Sequence, residues 1–392
     1  MQVRIEVLDP GFWRSPQIAS SLKQAVEFVS GDHWDIDFFG RPFRYEWAKP
    51  VLSPETLRES PLICLYSGGL DSAAGLAMRM EQTPSCPIIP VTIKHQPLQH
   101  KLVRRQYKLL GNRFGSRLSP LIIKARMNRP AGWTWSRREK SQRARSFLFA
   151  AAGAVAAIMT GQSHVEVFES GVGSINVSLM AGMVGSKATR GAHPEFLRRM
   201  SRLVSLVAER EITFQLPFMN STKGEMVRAL KESALDQLAL VTVSTARYPL
   251  GYHMYQECGI CPACVFRRQA MQVAGIKEGT GRYSFDLFGP VDEVNQLSSG
   301  RLTYLRAFLM QVADWADIDT TGILPGTTER HLLHTRILEP GETGENIISL
   351  LARYRDEWEQ IAAEGRERGY EWAEMLAPIQ VPVSPGANHA FD

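Results

Sequence analysis

Residues 62–80 read LICLYSGGLDSAAGLAMRM, and this stretch decides the fold. A short apolar run leads directly into Ser67-Gly68-Gly69, and an alanine-rich helical pattern follows. The glycines let backbone amides approach a ligand closely, and the positive end of the helix would face the same turn. The stretch therefore predicts a strand, an anion-binding loop and a helix.

Polar side chains on this loop indicate which anion it holds. Ser67 and Ser72 add hydroxyl donors to the backbone amides of the loop, including that of Leu70. The pattern GK[ST] does not follow the glycines, so this is not a Walker A loop for terminal phosphoryl transfer. A carboxylate in an anion site is costly unless it contacts a cation, so Asp71 predicts Mg²⁺ bridging phosphates.

Apolar strands alternate with helical patterns beyond residue 61, which predicts an α/β fold with a doubly wound parallel sheet. The predicted strands are LICLY, CPIIPVTI, SPLIIKAR, HVEVFESG and ITFQLPF. Ligands of such sheets bind at the carboxyl ends of the strands, where SGGLDS and Glu169 would meet. Glu169 and Ser170 either read a base there or cap the next helix.

Changes in pattern divide the chain into four segments. Residues 1–58 are predicted to form a small β-rich α+β accessory unit, and residues 59–275 the α/β domain. Amphipathic patterns predict a C-terminal helical extension over 276–380, and residues 381–392 resemble a loose tail.

The composition is that of an ordinary globular protein, with 44% hydrophobic and 22% charged residues and a formal net charge of +5. No segment approaches eighteen uninterrupted apolar residues, and the N-terminus lacks the order of a secretion signal. We therefore expect a cytoplasmic protein without a membrane span. Between Lys101 and Arg145 the single acid is Glu139, so this basic run either binds a polyanion or forms a solvated helix face.

Three of the five cysteines, Cys258, Cys261 and Cys264, follow one another at three-residue steps. Overlapping CxxC turns can place three thiolates on one tetrahedral Zn²⁺ ion. His253 either completes a Cys3His site or is an exposed loop residue. The other two cysteines fit core or loop positions, so no disulfide framework is expected.

SGGLDS after an apolar strand closely resembles the pyrophosphate loop of the N-type ATP pyrophosphatases, the PP-loop ATPases with a HUP-like fold. With CGICPACVFRRQAM at 258–271, the chain looks like QueC, the 7-cyano-7-deazaguanine synthase family. Between these motifs, QRARSFLFAAA resembles the family pattern PARNxxFL, HPEF resembles RPEF, and STKGEMV resembles SKxEIV. The resemblance covers about residues 60–275.

The chain departs from the family pattern in two places. Where the family has a fourth cysteine in a WSCY-type stretch, TVSTARY has Ser244 and Thr245. The family's acidic substrate segment is replaced by ESGVGSINVSLMAGMVGSKATRGAHPEF, so we expect a remodelled substrate pocket. With its additional terminal segments, the chain resembles divergent QueC-like proteins of anti-phage defence systems, of the QatC or CBASS-associated kind.

The resemblance implies a C–N ligase that uses ATP to adenylate the carboxylate of 7-carboxy-7-deazaguanine or a close analogue. The loop 67–72 would hold the pyrophosphate, Asp71 would ligate Mg²⁺, and Lys223 would stabilise charge on the phosphates. Arg145 is a further candidate, or else an exposed member of the basic run. His193 is considered as a base, although most single histidines are not catalytic. Zn²⁺ is implied as a structural or substrate-orienting ion.

The amine that captures the adenylate stays open. Ammonia would give an amide and, after a second activation, a nitrile, whereas a protein acceptor from the same defence system would become conjugated to the base. A homodimer is also implied, because QueC-like enzymes tend to dimerise.

Two other functions compete with this one: an ATP pyrophosphatase that modifies tRNA or another RNA, which the basic run favours, and a non-catalytic scaffold in a defence complex. The intact SGGLDS and Lys223 disfavour the scaffold.

Overall fold

The computed structural model describes residues 1–40, 60–94, 97–125, 144–179, 190–244 and 256–376. The stretch RPFRYEW at 41–47, whose alternation of polar and apolar residues predicts a strand, lies outside the described residues. Much of the basic run and the predicted tail also lie outside them. The strands are β1 (Gln2–Val7), β2 (Asp35–Gly40), β3 (Leu62–Leu65), β4 (Ile88–Lys94), β5 (Leu121–Lys124), β6 (His164–Val167) and β7 (Thr213–Gln215).

Helices cover most of the remaining described chain. The α-helices are α1 (Pro10–Arg14), α2 (Pro16–Ser30), α3 (Leu70–Gln82), α4 (Pro97–Phe114), α5 (Arg145–Met159), α6 (Gly171–Ile175), α7 (Pro194–Ala208), α8 (Lys223–Glu232), α9 (Asp236–Leu240), α10 (Pro262–Val273), α11 (Val291–Asn295), α12 (Ser299–Ala313), α13 (Ile318–Thr321), α14 (Gly326–His334) and α15 (Glu345–Glu367). Short 3₁₀ helices cover Gly115–Arg117 and Glu371–Leu376. Among the helices the structure describes, none is both long enough and apolar enough to span a membrane.

A five-stranded parallel sheet in the order β5-β4-β3-β6-β7 confirms the predicted α/β fold. All five predicted strands are present, and their apolar composition fits strands that are covered on both faces. The chain runs outward from β3 to β5 and then returns to the other side of β3 with β6. This reversal places a topological switch point between β3 and β6, where ligands of such sheets bind.

Each face of the sheet carries its own hydrophobic core. Helices α3, α4, α8, α9 and α10 contribute to the core on one face, while α5 and α7 cover the other. The N-terminal segment joins the second core, because Ile18, Leu22, Ala25 and Val29 of α2 pack there. Strands β1 and β2 pair in parallel beside α2. The N-terminal segment is therefore packed on the α/β domain through shared apolar side chains.

The residues after about 287 form a third core made of helices, as the amphipathic patterns predict. Trp315 and Trp358 are fully buried in it. Ile175 of α6 and Val265 of α10 belong to the same cluster, so this core is continuous with the α/β domain next to the switch point. The C-terminal helices therefore lie against the edge of the sheet where a ligand is expected.

Candidate active site

The loop after β3 forms the turn that the sequence predicts. Gly68 has a φ of 80°, and a Cβ there would lie 2.6 Å from Cγ2 of Val103, so both conformation and space favour glycine. Gly69 is the N-cap of α3 and offers no side-chain cap. The first amides of α3 therefore have no partner in the helix, which makes this helix end suited to an anion.

Hydroxyl groups close the loop on itself. Ser67 Oγ accepts from the Gly69 amide at 3.2 Å and lies 3.1 Å from Ser72 Oγ. Ser72 Oγ also donates to the Gly69 carbonyl at 3.0 Å. Ser67 is exposed whereas Leu70 is buried in the core, so the side chain of Leu70 anchors the loop and only its amide is free for a ligand.

A buried glutamine supports the loop from beneath. Gln106 of α4 donates to the carbonyls of Gly68 and Val241, both at 3.0 Å, and accepts from the Tyr66 hydroxyl at 2.7 Å. Its side chain is fully buried, so these bonds fix the position of the loop relative to α4. The sequence analysis missed Gln106, because nothing local marks one glutamine in a basic helix as a loop support.

Asp71, Lys223 and Glu169 meet beside the loop. Lys223 Nζ lies 2.6 Å from Asp71 Oδ2, and both side chains are largely buried. The other Asp71 oxygen, Oδ1, accepts from the Ser170 amide at 3.3 Å. The Glu169 carboxyl is hydrogen-bonded to Asp71. The cation that the sequence required next to Asp71 is therefore Lys223, with a second acid in contact.

Close backbone packing brings these residues together from distant parts of the chain. A Cβ at Gly171 would lie 1.9 Å from the Met219 carbonyl oxygen, and the Gly171 amide donates to the Ser221 carbonyl at 2.8 Å. Only glycine allows the turn after β6 to approach the loop that leads into α8. This approach sets Glu169 beside Lys223, the first residue of α8.

The Glu169 carboxyl keeps its proton more strongly than an ordinary glutamate. Burial and the neighbouring Asp71 carboxylate raise its pKa well above the usual value, while Lys223 acts in the opposite direction. Two neighbouring carboxyls, one of which holds a proton, can exchange that proton for a divalent cation, because oxygen ligands suit Mg²⁺. Asp71 and Glu169 therefore fit a Mg²⁺ site that forms together with bound phosphates.

The position of Lys223 is set by its helix cap and by an aromatic ring. Thr222 is the N-cap of α8, and its side chain and that of Glu225 form a reciprocal capping box. Lys223 Nζ lies 4.0 Å from the centre of the Phe266 ring, a cation–π distance. The sequence analysis missed Phe266, which lies only two residues beyond Cys264 in the predicted zinc segment.

The contacts described for Arg145 and His193 are with other residues than these three. Arg145 begins α5, is exposed, and places its guanidinium 6.0 Å from the ring of Phe149 on the same helix. Its role in the reaction stays a prediction. His193 caps α7 by accepting from the Glu195 amide at 3.1 Å. Burial and the nearby charges of His331 and Arg190 lower the pKa of His193 to about 3, so it is a neutral helix cap.

The three cysteines form the candidate metal centre. The Sγ atoms of Cys258, Cys261 and Cys264 are buried and lie within 4.8 Å of one another. Cys258 Sγ and Cys264 Sγ are 3.7 Å apart. Two thiolates on a tetrahedral Zn²⁺ would be about 3.8 Å apart, given Zn–S bonds of about 2.3 Å. The thiols therefore fit zinc, and His253 lies outside the described residues.

Residues close in sequence to the cysteine cluster form a network of ion pairs. Arg267 is fully buried, with its Nε 2.9 Å from Glu278 Oε1 and its Nη2 donating to the Ala239 carbonyl at 2.8 Å. Arg282 pairs with Glu257 at 2.5 Å and with Glu278 at 3.1 Å. These contacts give Arg267 a structural role, since its single charge is paired within the fold.

The fold and the loop define an α/β protein of the PP-loop ATPase-like kind with a helical C-terminus. Residues 186–275 match the family of the queuosine biosynthesis protein QueC. The matched stretch contains Lys223 and the three cysteines, and the loop at 67–72 precedes it. No curated protein matches the chain. The match supports a QueC-like family and, at that level, ATP-dependent chemistry related to deazaguanines.

Proposed function

We propose that this protein uses ATP to adenylate the carboxylate of 7-carboxy-7-deazaguanine or a close analogue and transfers the acyl group to an amine. The observation that carries the proposal is the contact between Lys223 and Asp71 beside an uncapped glycine loop. The family match at 186–275 supports the deazaguanine substrate. In this proposal the residues of the loop and of α8 act on one bound nucleotide.

In the first step a substrate carboxylate oxygen attacks the α-phosphorus of ATP, and the bond from that phosphorus to the leaving pyrophosphate breaks. Amides of the loop, with Ser67 and Ser72, bind the pyrophosphate. Lys223 neutralises charge that grows on the phosphates, and such positioned cations supply most of the stabilisation in phosphoryl chemistry. Asp71 and Glu169 would hold a Mg²⁺ ion, which would supply positive charge to offset that of the phosphates.

In the second step an amine nitrogen attacks the acyl carbon, AMP leaves, and the amine loses a proton. With ammonia the product is an amide. Adenylation of the amide oxygen in a second round, which releases pyrophosphate, followed by loss of AMP and of both amide protons, gives the nitrile. With a protein amine the product is a conjugate, as expected of a defence-associated QueC-like protein. The remodelled segment 169–196 supports the conjugate, because it departs from the family's substrate pattern.

The test is conversion of ATP to AMP with 7-carboxy-7-deazaguanine and ammonium, followed by mass spectrometry of small molecules and protein. Asp71→Asn should lower the rate about a hundredfold, and Asp292→Asn, at an exposed acid, should leave it unchanged. AMP with amide or nitrile identifies ammonia as the acceptor, and AMP that requires a partner protein identifies conjugation. No AMP in either setting contradicts the proposal.

One observation favours an RNA-modifying enzyme as a second candidate. The outer face of α4 carries four exposed cations at helical spacing, namely Lys101, Arg104, Arg105 and Lys108. Gln99 of the same helix donates to the Ser67 carbonyl at 2.9 Å, so the basic face begins next to the loop. A phosphate backbone laid on α4 would reach the nucleotide site.

A further inference from the structure

The C-terminal helices approach the candidate active site closely at α15. Residues of α15 pack against α10, and Ile175, Val265 and Leu351 belong to one buried cluster. Lys223 lies on the side of α8 that faces the same region, since its ammonium group contacts Phe266 of α10. Helix α10, whose Phe266 contacts Lys223, is therefore itself in contact with the C-terminal segment.

The first connection runs through the Phe266 ring. One contact of this ring is Lys223, at 4.0 Å, and another is the Tyr354 ring, at 5.7 Å between centres in an edge-on arrangement. Phe308 stacks on it at 6.2 Å. Tyr354 is fully buried, so its ring has one position available. The aromatic surface below the Lys223 ammonium is thus fixed by α12 and α15.

The second connection is a buried glutamate. Thr222 Oγ1 donates to Glu357 Oε1, and Gln269 Nε2 donates to Glu357 Oε2 at 2.8 Å. A Cβ at Gly224 would lie 2.4 Å from Glu357 Oε1, so glycine there admits the carboxyl group. Glu357 is thus in contact with both neighbours of Lys223 in the sequence, and it joins α15 to α8 and α10.

We infer that α15 belongs to the candidate active site. In it, Glu357 and Tyr354 are positioning residues that hold Lys223 against Asp71. The inference rests on the proposed function only in giving Lys223 a role in the reaction. The inference gives the C-terminal segment a role in catalysis. A domain that only bound a partner protein would not need to contact the first turn of α8.

Two measurements on three variants test this inference in the full chain. Glu357→Ala leaves Thr222 and Gln269 without their acceptor, Glu357→Gln restores an acceptor of the same shape, and Glu367→Ala changes an exposed acid of the same helix. The first measurement is the rate of AMP formation. The second is acetylation of Lys223 by an activated ester, quantified by mass spectrometry relative to the exposed Lys231.

We expect Glu357→Ala to lower kcat for AMP formation about tenfold to a hundredfold, because displacement of a catalytic group by an ångström has an effect of this size. Acetylation of Lys223 relative to Lys231 should rise at least about threefold, since the buried lysine becomes accessible. Glu357→Gln should recover most of both values, and Glu367→Ala should match the wild type.

A purely structural role for Glu357 would give a different result. The melting temperature would fall in Glu357→Ala, while kcat per folded molecule and the acetylation ratio of Lys223 stayed at wild-type values, and this outcome overturns the inference. If the wild type forms no AMP, the proposed function fails, but the acetylation ratio still decides whether α15 holds Lys223. The two failures are therefore distinguishable.

Discussion

Lys223, Asp71 and Glu169 place one cation against two acids in a buried space. The group is neutral when Asp71 is ionised and Glu169 keeps its proton, which agrees with the raised pKa of Glu169. A nucleotide would add negative charge at this point, and exchange of the proton for a divalent cation would offset it. The free protein thus balances the charge of these three side chains without a metal ion, and the proposed function predicts that Mg²⁺ binds there together with the nucleotide.

Removal of the Lys223 charge should impair the reaction at the site formed by Lys223, Asp71 and Glu169. Lys223→Met keeps most of the side-chain volume but leaves Asp71 buried without its cation. We expect AMP formation to fall about a hundredfold to a thousandfold, with weaker binding of pyrophosphate measured by calorimetry. Lys231→Met, on the exposed side of the same helix, is the matched control and should retain wild-type values. Equal activity in both variants would remove Lys223 from the reaction.

Glu169→Gln imitates the protonated carboxyl, so the melting temperature without nucleotide should stay close to that of the wild type. The Mg²⁺ requirement should change, because the amide cannot release a proton to the metal. In the wild type the Mg²⁺ concentration for half-maximal AMP formation should fall as the pH rises, since the pKa of Glu169 is raised. In Glu169→Gln this dependence should flatten. A variant that keeps the wild-type Mg²⁺ profile would show that Glu169 does not contact the ion.

At the scale of elements, the sequence predicts the features that residues close together in the chain determine. The strand, glycine turn and helix at 62–82 are encoded locally, and the rule that parallel strands end at one edge predicts the meeting of SGGLDS with Glu169. The ion pair of Lys223 with Asp71 joins residues far apart in sequence, and a motif resemblance suggested both residues without their contact. Glu357 and Phe266 were missed because their roles arise only from packing of α15 and α10.

The turn at 258–264 should bind one zinc ion per chain, and Cys261→Ser should remove it. Metal binding contributes to folding free energy, so we expect loss of zinc by elemental analysis together with a melting temperature lower by several degrees. Cys86→Ser, outside the cluster, is the control and should keep the metal. His253→Ala tests the fourth ligand by the same analysis. Full zinc content in Cys261→Ser would contradict the site.

Helix α15 should make stability depend on pH through Glu357. Burial raises the pKa of Glu357 to about 7, and among the charged groups facing it Glu225 acts in the same direction while Arg228 opposes it. A raised pKa in the folded state means that the stabilising contribution is present below the ordinary glutamate pKa and lost as the pH rises through about 7. The melting temperature of Glu357→Gln minus that of the wild type should therefore increase from pH 5 to pH 8. A constant difference would show that Glu357 is already ionised at pH 5.

At the scale of the whole molecule, two surfaces border the loop 67–72. The basic face of α4 lies on one side, and burial together with Lys94, Arg104 and Lys124 lowers the pKa of His100 there. On the other side, α15 and its neighbours form a compact hydrophobic core. The basic face of α4 is exposed and can be reached by a macromolecule, whereas the side of α15 is occupied by the protein's own core. The acceptor of the acyl group is therefore expected to approach from the side of α4.

Reversal of charge on α4 should distinguish the two candidate functions. In the combined variant Arg104→Glu and Lys108→Glu, AMP formation with 7-carboxy-7-deazaguanine and ammonium should stay within about twofold of the wild type, because these exposed side chains lie outside the ion-paired group. Reversal of the exposed Lys277 and Arg330 is the matched control.

The outcome with RNA decides between the functions. One outcome is that RNA stimulates AMP formation in the wild type, with binding that falls steeply with salt, and that the α4 variant abolishes this stimulation. In that case the RNA-modifying function replaces the one proposed. If a partner protein gives that result instead, α4 is the surface on which the acceptor of the deazaguanine binds.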